Sequence, residues 1–257
     1  MCTPGVIDAL ADARPQAAGA TGRLLGPATA AIRRYWRAFV AIQLIGLGLV
    51  AGYWTVPAVA AVLQQLAEWR ERGGVLAAAL AGAIAGGILP ELAKLVTGID
   101  RRPVVRRLHD VGFQFAFFAF SSFVVFHFYQ LQSWLFGDRQ DLATVAAKVA
   151  LDQFVFTVFW ATPFGLTMFS LKACGYRLGP TLATLTPRRL AERFPALLLP
   201  CWMYWLPMTS LIYSLPGALQ FVLFSLALAA WSLLMVFIAQ HNAAAAATGP
   251  DDAAHAA

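Results

Sequence analysis

Runs of about 20 consecutive apolar residues recur along this chain of 257 residues, and they constrain its fold more than any other feature. A helix needs about 20 apolar residues to cross a bilayer, because each residue adds about 1.5 Å against a hydrocarbon core of about 30 Å. Helices also satisfy their own backbone hydrogen bonds in lipid. We therefore predict an all-α, polytopic transmembrane helix bundle. The candidate runs are 39–63, 75–96, 111–135, 149–171, 194–215 and 216–240.

Composition agrees with a membrane protein. Hydrophobic residues make up 60% of the chain and charged residues 12%, whereas soluble domains carry about 25% charged residues. The apolar runs do not alternate in polarity, as the strands of a membrane β-barrel would. The net charge of +6 comes from residues between the runs. We therefore expect the lipid bilayer, and no nucleic acid, as a partner.

The chain divides into four predicted regions. Residues 1–34 form either a disordered tail or a presequence for an organelle, because arginines are spread among small residues but two aspartates also occur. Residues 35–70 are predicted to form an extra N-terminal transmembrane helix, and residues 71–241 a membrane helix bundle. Residues 242–257 are predicted to be a disordered tail.

Lysine and arginine counts alternate between successive loops. Counted from the N-terminal side of the first run, the loops hold 5, 2, 5, 2, 5 and 0 of these residues. Such alternation follows the positive-inside rule and places the N-terminus with the basic loops. Residues 194–215 carry Pro195, Pro200 and Pro207, which predict a broken helix. This segment either crosses or is re-entrant, so we expect five to six membrane segments.

Two GxxxG patterns predict close helix packing. Gly82 and Gly86 form one, followed by Gly87, and Gly48 and Gly52 form the other. Small residues at this spacing let two helices approach closely, within one chain or between copies. We therefore expect helix contacts at these faces, including homo-oligomer contacts.

A few polar residues interrupt the apolar runs. Glu91 and Lys94 share a helix face and could pair; they mark either a functional site or the membrane boundary. Lys148 and Asp152 lie one turn apart, and Gln153 follows. This helix either lines a cavity with its polar face, or Asp152 simply stabilises the helix N-terminus through the dipole.

His127 lies deep in the third run, near Tyr129. It is either part of a proton relay or pore lining, or is hydrogen-bonded to a neighbouring helix. The sequence does not assemble a nucleophile, a base and an orienting group, and it contains no metal-ligand spacing. We therefore predict no enzyme, no metal site and no cofactor.

From the second run onward, the chain resembles the family of the twenty-two-kilodalton peroxisomal membrane protein and Mpv-seventeen. The shared pattern is a Gly-rich helix, an Arg-bearing loop, an aromatic helix, a K-x-x-x-D-Q helix, a Trp/Pro-rich segment and a last helix entered by proline. Its elements here are Gly82–Gly87, residues 100–107, the helix through His127 and Tyr129, Lys148/Asp152/Gln153, Trp202/Trp205/Pro207, Pro216 and Trp231. Gln220 stands where the family has arginine.

The resemblance implies a multi-pass protein of an organellar membrane (mitochondrial inner, peroxisomal or plastid) rather than of the plasma membrane. It implies a small channel or pore for small metabolites or ions. The alternative is a non-transporting scaffold or assembly factor in organelle homeostasis. The candidate pore-lining or helix-contact residues are Gly82, Gly86, Gly87, Glu91, His127, Tyr129, Lys148, Asp152, Gln153, Trp202, Trp205, Pro207, Pro216, Gln220 and Trp231.

Overall fold

The computed structural model describes residues 20–96 and 104–247, which are helical apart from short connections and contain no β-strand. The predicted all-α fold is confirmed. The α-helices are α1 Ala20–Thr55, α2 Pro57–Gly82, α3 Leu89–Val96, α4 Val104–Phe136, α5 Leu142–Ala150, α6 Thr162–Ala173, α7 Leu178–Thr184, α8 Pro187–Tyr213 and α9 Gly217–Ala247. The π-helical segment π1, Ala83–Ile88, joins α2 to α3, and π2, Leu151–Ala161, joins α5 to α6.

Four stretches of the described residues are long and apolar enough to cross a membrane, and the chain is a multi-pass membrane protein. Two shorter apolar helices, Phe39–Thr55 and Leu197–Tyr213, accompany them. Four of the expected five to six membrane segments thus correspond to long apolar stretches. The long stretches are Pro57–Val96, Val104–Phe136, Leu142–Ala173 and Gly217–Val236.

Helix α4 lies between two antiparallel neighbours. Gly82 faces Ser122 and Gly87 faces the backbone of Phe115, so residue numbers rise on one helix as they fall on the other. On its other side, aromatic rings join α4 to the stretch 142–173 in the same antiparallel sense. The stacked or edge-to-face pairs include Phe128 with Phe156, Phe117 with Phe164 and Phe113 with Phe169.

Helices α1 and α8 run parallel to each other. The ring of Phe39 packs on Tyr204, and Gly46 lies against Met208, so residue numbers rise together along both helices. Gln43 also donates from Nε2 to the carbonyl oxygen of Tyr204 at 2.7 Å. The pair thus combines apolar packing with one hydrogen bond between helices.

The structure corrects the first predicted membrane segment. Residues 39–63 are not one helix, and residues 35–70 do not form a single helix. Helix α1 ends at Thr55, Val56 is extended with φ −121° and ψ 106°, and α2 begins at Pro57. The residue before a proline is disfavoured in the α-helical region, because the proline ring clashes with it. Arg70 and Arg72 therefore lie within α2 rather than in a loop.

The predicted terminal tails are shorter than expected. Residues 20–34 belong to α1 and residues 242–247 belong to α9, so these parts are helical. The remainder of both predicted tails, residues 1–19 and 248–257, lies outside the described residues. Residues 100–103 of the predicted Arg-bearing loop, 100–107, also lie outside the described residues, whereas 104–107 form the start of α4.

The predicted break in 194–215 is not present. Helix α8 is one continuous α-helix from Pro187 to Tyr213, with Pro187 at its first turn. Transmembrane helices tolerate proline, because neighbouring helices and hydroxyl side chains can satisfy the freed backbone groups. The segment is therefore an unbroken helix rather than a Pro-broken one, and its apolar part, Leu197–Tyr213, is shorter than the four long stretches.

Helix α9 is the most enclosed of the four long membrane stretches. In the most apolar 18 residues of α9, 61% are buried. The corresponding share is 17% in α4 and 17% in Leu142–Ala173. A cluster of buried side chains from α1, α2, α4, α8 and α9 surrounds it. The outer faces of α4 and of 142–173 therefore form much of the apolar surface of the bundle.

Candidate functional site

The glycines of the predicted GxxxG face contact α4. A Cβ atom at Gly82 would lie 1.7 Å from Ser122 Oγ, and one at Gly86 would lie 2.3 Å from Phe118 Cδ1. Gly87 approaches the backbone of Phe115. These glycines thus provide intramolecular helix packing. In the second pattern, Gly48 has open space around it.

A buried carboxylate occupies the start of π2. Asp152 is 7% exposed, and its side chain accepts a hydrogen bond from the hydroxyl of Tyr213 on α8. The amide Nε2 of the adjacent Gln153 donates to the other carboxylate oxygen at 2.9 Å. Hydrogen bonds in a π-helix run from residue i to i+5, and Thr157, five residues on, is also buried. The π-helical turn thus places two oxygen-bearing side chains on one inward face.

Unpaired amide oxygens accompany this carboxylate. Gln132 of α4 is 0% exposed and lies next to the side chain of Tyr213. Its Oε1 atom has no hydrogen-bond partner, and the same holds for Oε1 of Gln153, whereas the Gln132 amide group lies beside the hydroxyl of Tyr213. The ring of Tyr129 packs on Tyr213 at 5.5 Å between centroids. We name Asp152, Gln153, Gln132, Tyr129 and Tyr213 the polar cluster.

Lys148 does not pair with Asp152. Its ammonium group, on a side chain that is 2% exposed, bonds to Oδ1 of Asp138 at 3.1 Å. Asp138 also accepts from the hydroxyl of Ser133 at 2.7 Å. A lysine side chain reaches toward the membrane boundary with its charged end, and Asp138 lies in the loop before α5. This pair therefore ties that loop to the buried side of α5.

The two aspartates of this loop have lowered pKa values. Partial burial raises the pKa of Asp138, but the hydrogen bonds from Ser133 and Lys148 and the lysine charge outweigh it and hold the pKa below its usual value. Asp141 is the N-cap of α5 and accepts from the backbone N–H and the hydroxyl of Thr144, which lower its pKa. Both carboxyl groups are thus stabilised in the ionised form.

Tryptophans of α8 and α9 form contacts with π2 and with Tyr204. The indole Nε1 of Trp202 donates to the backbone oxygen of Gln153 at 3.0 Å. Trp205 and Trp231 pack with Tyr204. Pro207 is exposed on α8, and Pro216 precedes α9 in the turn after α8.

Gln220 is buried on α9 and has a local role. Its Nε2 donates to the backbone oxygen of Leu215 at 3.0 Å. This bond satisfies a carbonyl near the end of α8, just before the turn into α9. Gln220 thus ties the first turn of α9 to the connection that precedes it.

His127 and Glu91 lie apart from these contacts. His127 is on the exposed face of α4, where its ring packs on Phe123 and its Nδ1 lies 3.2 Å from Oε1 of Gln130. Glu91 is buried and accepts from Lys94, as the spacing predicts. Each of the three residues Asp152, His127 and Glu91 therefore has its own set of hydrogen-bonding partners.

Residues 20–96 and 104–247 contain no group of three His, Cys, Asp or Glu side chains that could hold a metal ion. The expectation that the chain is not an enzyme stays a prediction. Sequence reasoning missed Tyr213, Gln132 and Asp138 as partners of the predicted residues. A signal was available for Gln132, because a glutamine inside an apolar run is rare in membrane spans.

Comparison with known proteins gives no assignment. No protein-family model, no curated protein and no solved structure matches this chain. The family resemblance described above therefore stays a prediction.

Proposed function

We propose that the protein is a small channel that passes small metabolites or ions through its interior, at the level of the polar cluster. The observation that carries this proposal is Asp152, a buried carboxylate within a membrane-spanning stretch. Ionisable residues inside membranes are costly and commonly mark pathways for ions or polar solutes.

The arrangement of the polar cluster supports passage rather than structure alone. A buried polar group without a hydrogen bond costs about 1–3 kcal/mol, and Gln132 and Gln153 each hold a buried amide oxygen without one. A fold selected only for stability would fill these positions with apolar side chains. Unsatisfied amides offer a passing solute or ion the hydrogen bonds or oxygen contacts that it loses on leaving water.

Flux of sized solutes into reconstituted liposomes tests the proposal. We expect the wild-type protein to release small ions and metabolites and retain large dextrans. Asp152→Asn should change conductance or selectivity, because it removes the charge of the polar cluster. His127→Ala is the matched control, since His127 lies on the exposed face of α4. Unchanged conductance and selectivity in Asp152→Asn would reject this lining assignment.

A scaffold or assembly factor is the second candidate. The observation that favours it is the exposed apolar surface of α4 and of 142–173, on which Phe120, Phe123, Phe154 and Phe159 are exposed. Such faces can receive the helices of a partner as well as lipid. Purified protein that gives no flux but co-purifies with a stable membrane partner would support this candidate.

The organellar location is part of the proposal and rests on the family resemblance. Fluorescent tagging at the C-terminus, with markers for mitochondria, peroxisomes and plastids, tests it. Exclusive labelling of the plasma membrane would contradict it.

A further inference from the structure

The carboxylate of Asp152 lacks a cationic partner among the described side chains. Lys148, one helical turn away, bonds to Asp138 instead. Lys172, near the other end of the same membrane stretch, pairs with Asp110 at 2.8 Å. Both oxygens of Asp152 have hydrogen-bonding partners, the hydroxyl of Tyr213 and the amide of Gln153, and neither partner carries a positive charge.

An uncompensated charge inside a membrane protein is strongly unfavourable. Breaking a buried ion pair so that one charge remains alone is strongly destabilising, because the desolvation cost is not repaid. A positive charge beside Asp152 would remove this cost. Because the polar cluster carries one carboxylate, a single positive charge balances it, whereas a divalent ion would leave an excess charge in the bilayer.

The neighbouring groups have the chemistry of ligands for a hard cation. Such ions bind carboxylate, amide carbonyl and hydroxyl oxygens. Gln132 and Gln153 each hold a buried Oε1 atom without a hydrogen-bond partner. The hydroxyl of Tyr213 lies between the carboxylate of Asp152 and the amide of Gln132. Helices α4 and α8 and the segment π2 therefore meet at the hydroxyl of Tyr213, beside which lie the carboxylate of Asp152 and the amide of Gln132.

We infer that Asp152, Gln153 and Gln132 form a binding site for a monovalent metal cation such as Na⁺ or K⁺. This inference deepens the proposed channel function, since it names the class of ion that the polar cluster takes. Binding at equilibrium does not require flux, so the two can fail separately.

Thermal unfolding of the purified full-length protein in detergent tests the site. We compare about 100 mM LiCl, NaCl or KCl with N-methyl-D-glucamine chloride at equal ionic strength. An ion that binds only the folded state raises the Tm by mass action, and we expect about 3–5 °C for the preferred metal ion. Asp152→Asn and Gln132→Met should lose this increment.

Ser122→Ala is the matched control. Ser122 is also a buried α4 side chain with an unpaired hydroxyl, but it faces Gly82. We expect the full ion-dependent increment in this variant. Gln132→Met keeps the test decisive where Asp152→Asn fails to fold, because it leaves Asp152 and its partners Tyr213 and Gln153 in place. Equal Tm values in metal chloride and N-methyl-D-glucamine chloride, or an unchanged increment in Gln132→Met, would overturn the inference.

Discussion

Replacing Gly82 by alanine should push α2 away from α4 and lower the free energy of unfolding. The added Cβ atom would lie 1.7 Å from Ser122 Oγ, 2.4 Å from Ser122 Cβ and 3.0 Å from the backbone oxygen of Phe118. Overpacking of this kind costs about 1–3 kcal/mol. The cost should be about 3 kcal/mol, because Ser122 Cβ and the Phe118 oxygen can move away only if the backbone of α4 shifts.

Helix propensity opposes part of this cost. Alanine is favoured over glycine inside a helix by about 1 kcal/mol, so the net loss for Gly82→Ala is about 2 kcal/mol. Gly48→Ala is the matched control, because a Cβ atom at Gly48 would meet nothing within 4 Å. It should be neutral or stabilise by up to about 1 kcal/mol. The difference between the two variants isolates the packing cost of about 3 kcal/mol.

A double-mutant cycle with Ser122→Gly tests the assigned contact. This second change removes both Ser122 side-chain atoms that the new Cβ would meet. We expect the Gly82→Ala penalty to fall by more than half in the Ser122→Gly background. The free energy of unfolding is measured by titration with sodium dodecyl sulfate in mixed micelles. Equal effects of Gly82→Ala and Gly48→Ala, or a cycle with no coupling, would refute the reasoning.

Two further changes test other parts of the fold. Ionised Asp138 stabilises the folded state, since its pKa is lowered from 3.8; its contribution is present above that pH and is lost as the pH falls below it. Asp138→Asn should therefore flatten the acid side of the stability profile, and an unchanged acid slope would contradict the pairing with Lys148. Helix α2 is broken by a kink at Gly74, whose backbone is not helical (φ 54°, ψ −137°) and which has open space around it. Gly74→Ala should cost about 1–3 kcal/mol from backbone strain alone, and stability equal to wild type would show that this break is not required.

The apolar runs predict most of the helices, because the thickness of the bilayer imposes one length on every span. They predict the boundaries less well. The run 39–63 is continuous in hydropathy, yet Pro57 forces Val56 out of the helix. Here the local rule for the residue before proline outweighs the apolar pattern. In α8, by contrast, three prolines do not interrupt the helix.

The polar cluster shows the other limit of sequence reasoning. Asp152 and Gln153 are recognisable as polar residues in an apolar run, but Tyr213 is 61 residues away from Asp152. No spacing rule connects two residues on separate helices. Lys148 and Asp152 lie one turn apart, within reach of each other by spacing, yet Lys148 reaches the loop residue Asp138. Helical spacing shows which side chains of one helix can meet. The packing of separate helices and loops decides which contacts form, as for Asp152 with Tyr213 and Lys148 with Asp138.

The parallel pairing of α1 and α8 has a consequence for the order of assembly. Gln43 bonds to a backbone oxygen 161 residues later in the chain. At a synthesis rate of about 5–20 residues per second, α8 follows this part of α1 by roughly 8–32 s. During that interval the amide of Gln43 lies in the membrane without its final acceptor. Helix α1 can therefore complete its contact with α8, which contains the fifth apolar segment, only after most of the chain has been synthesised.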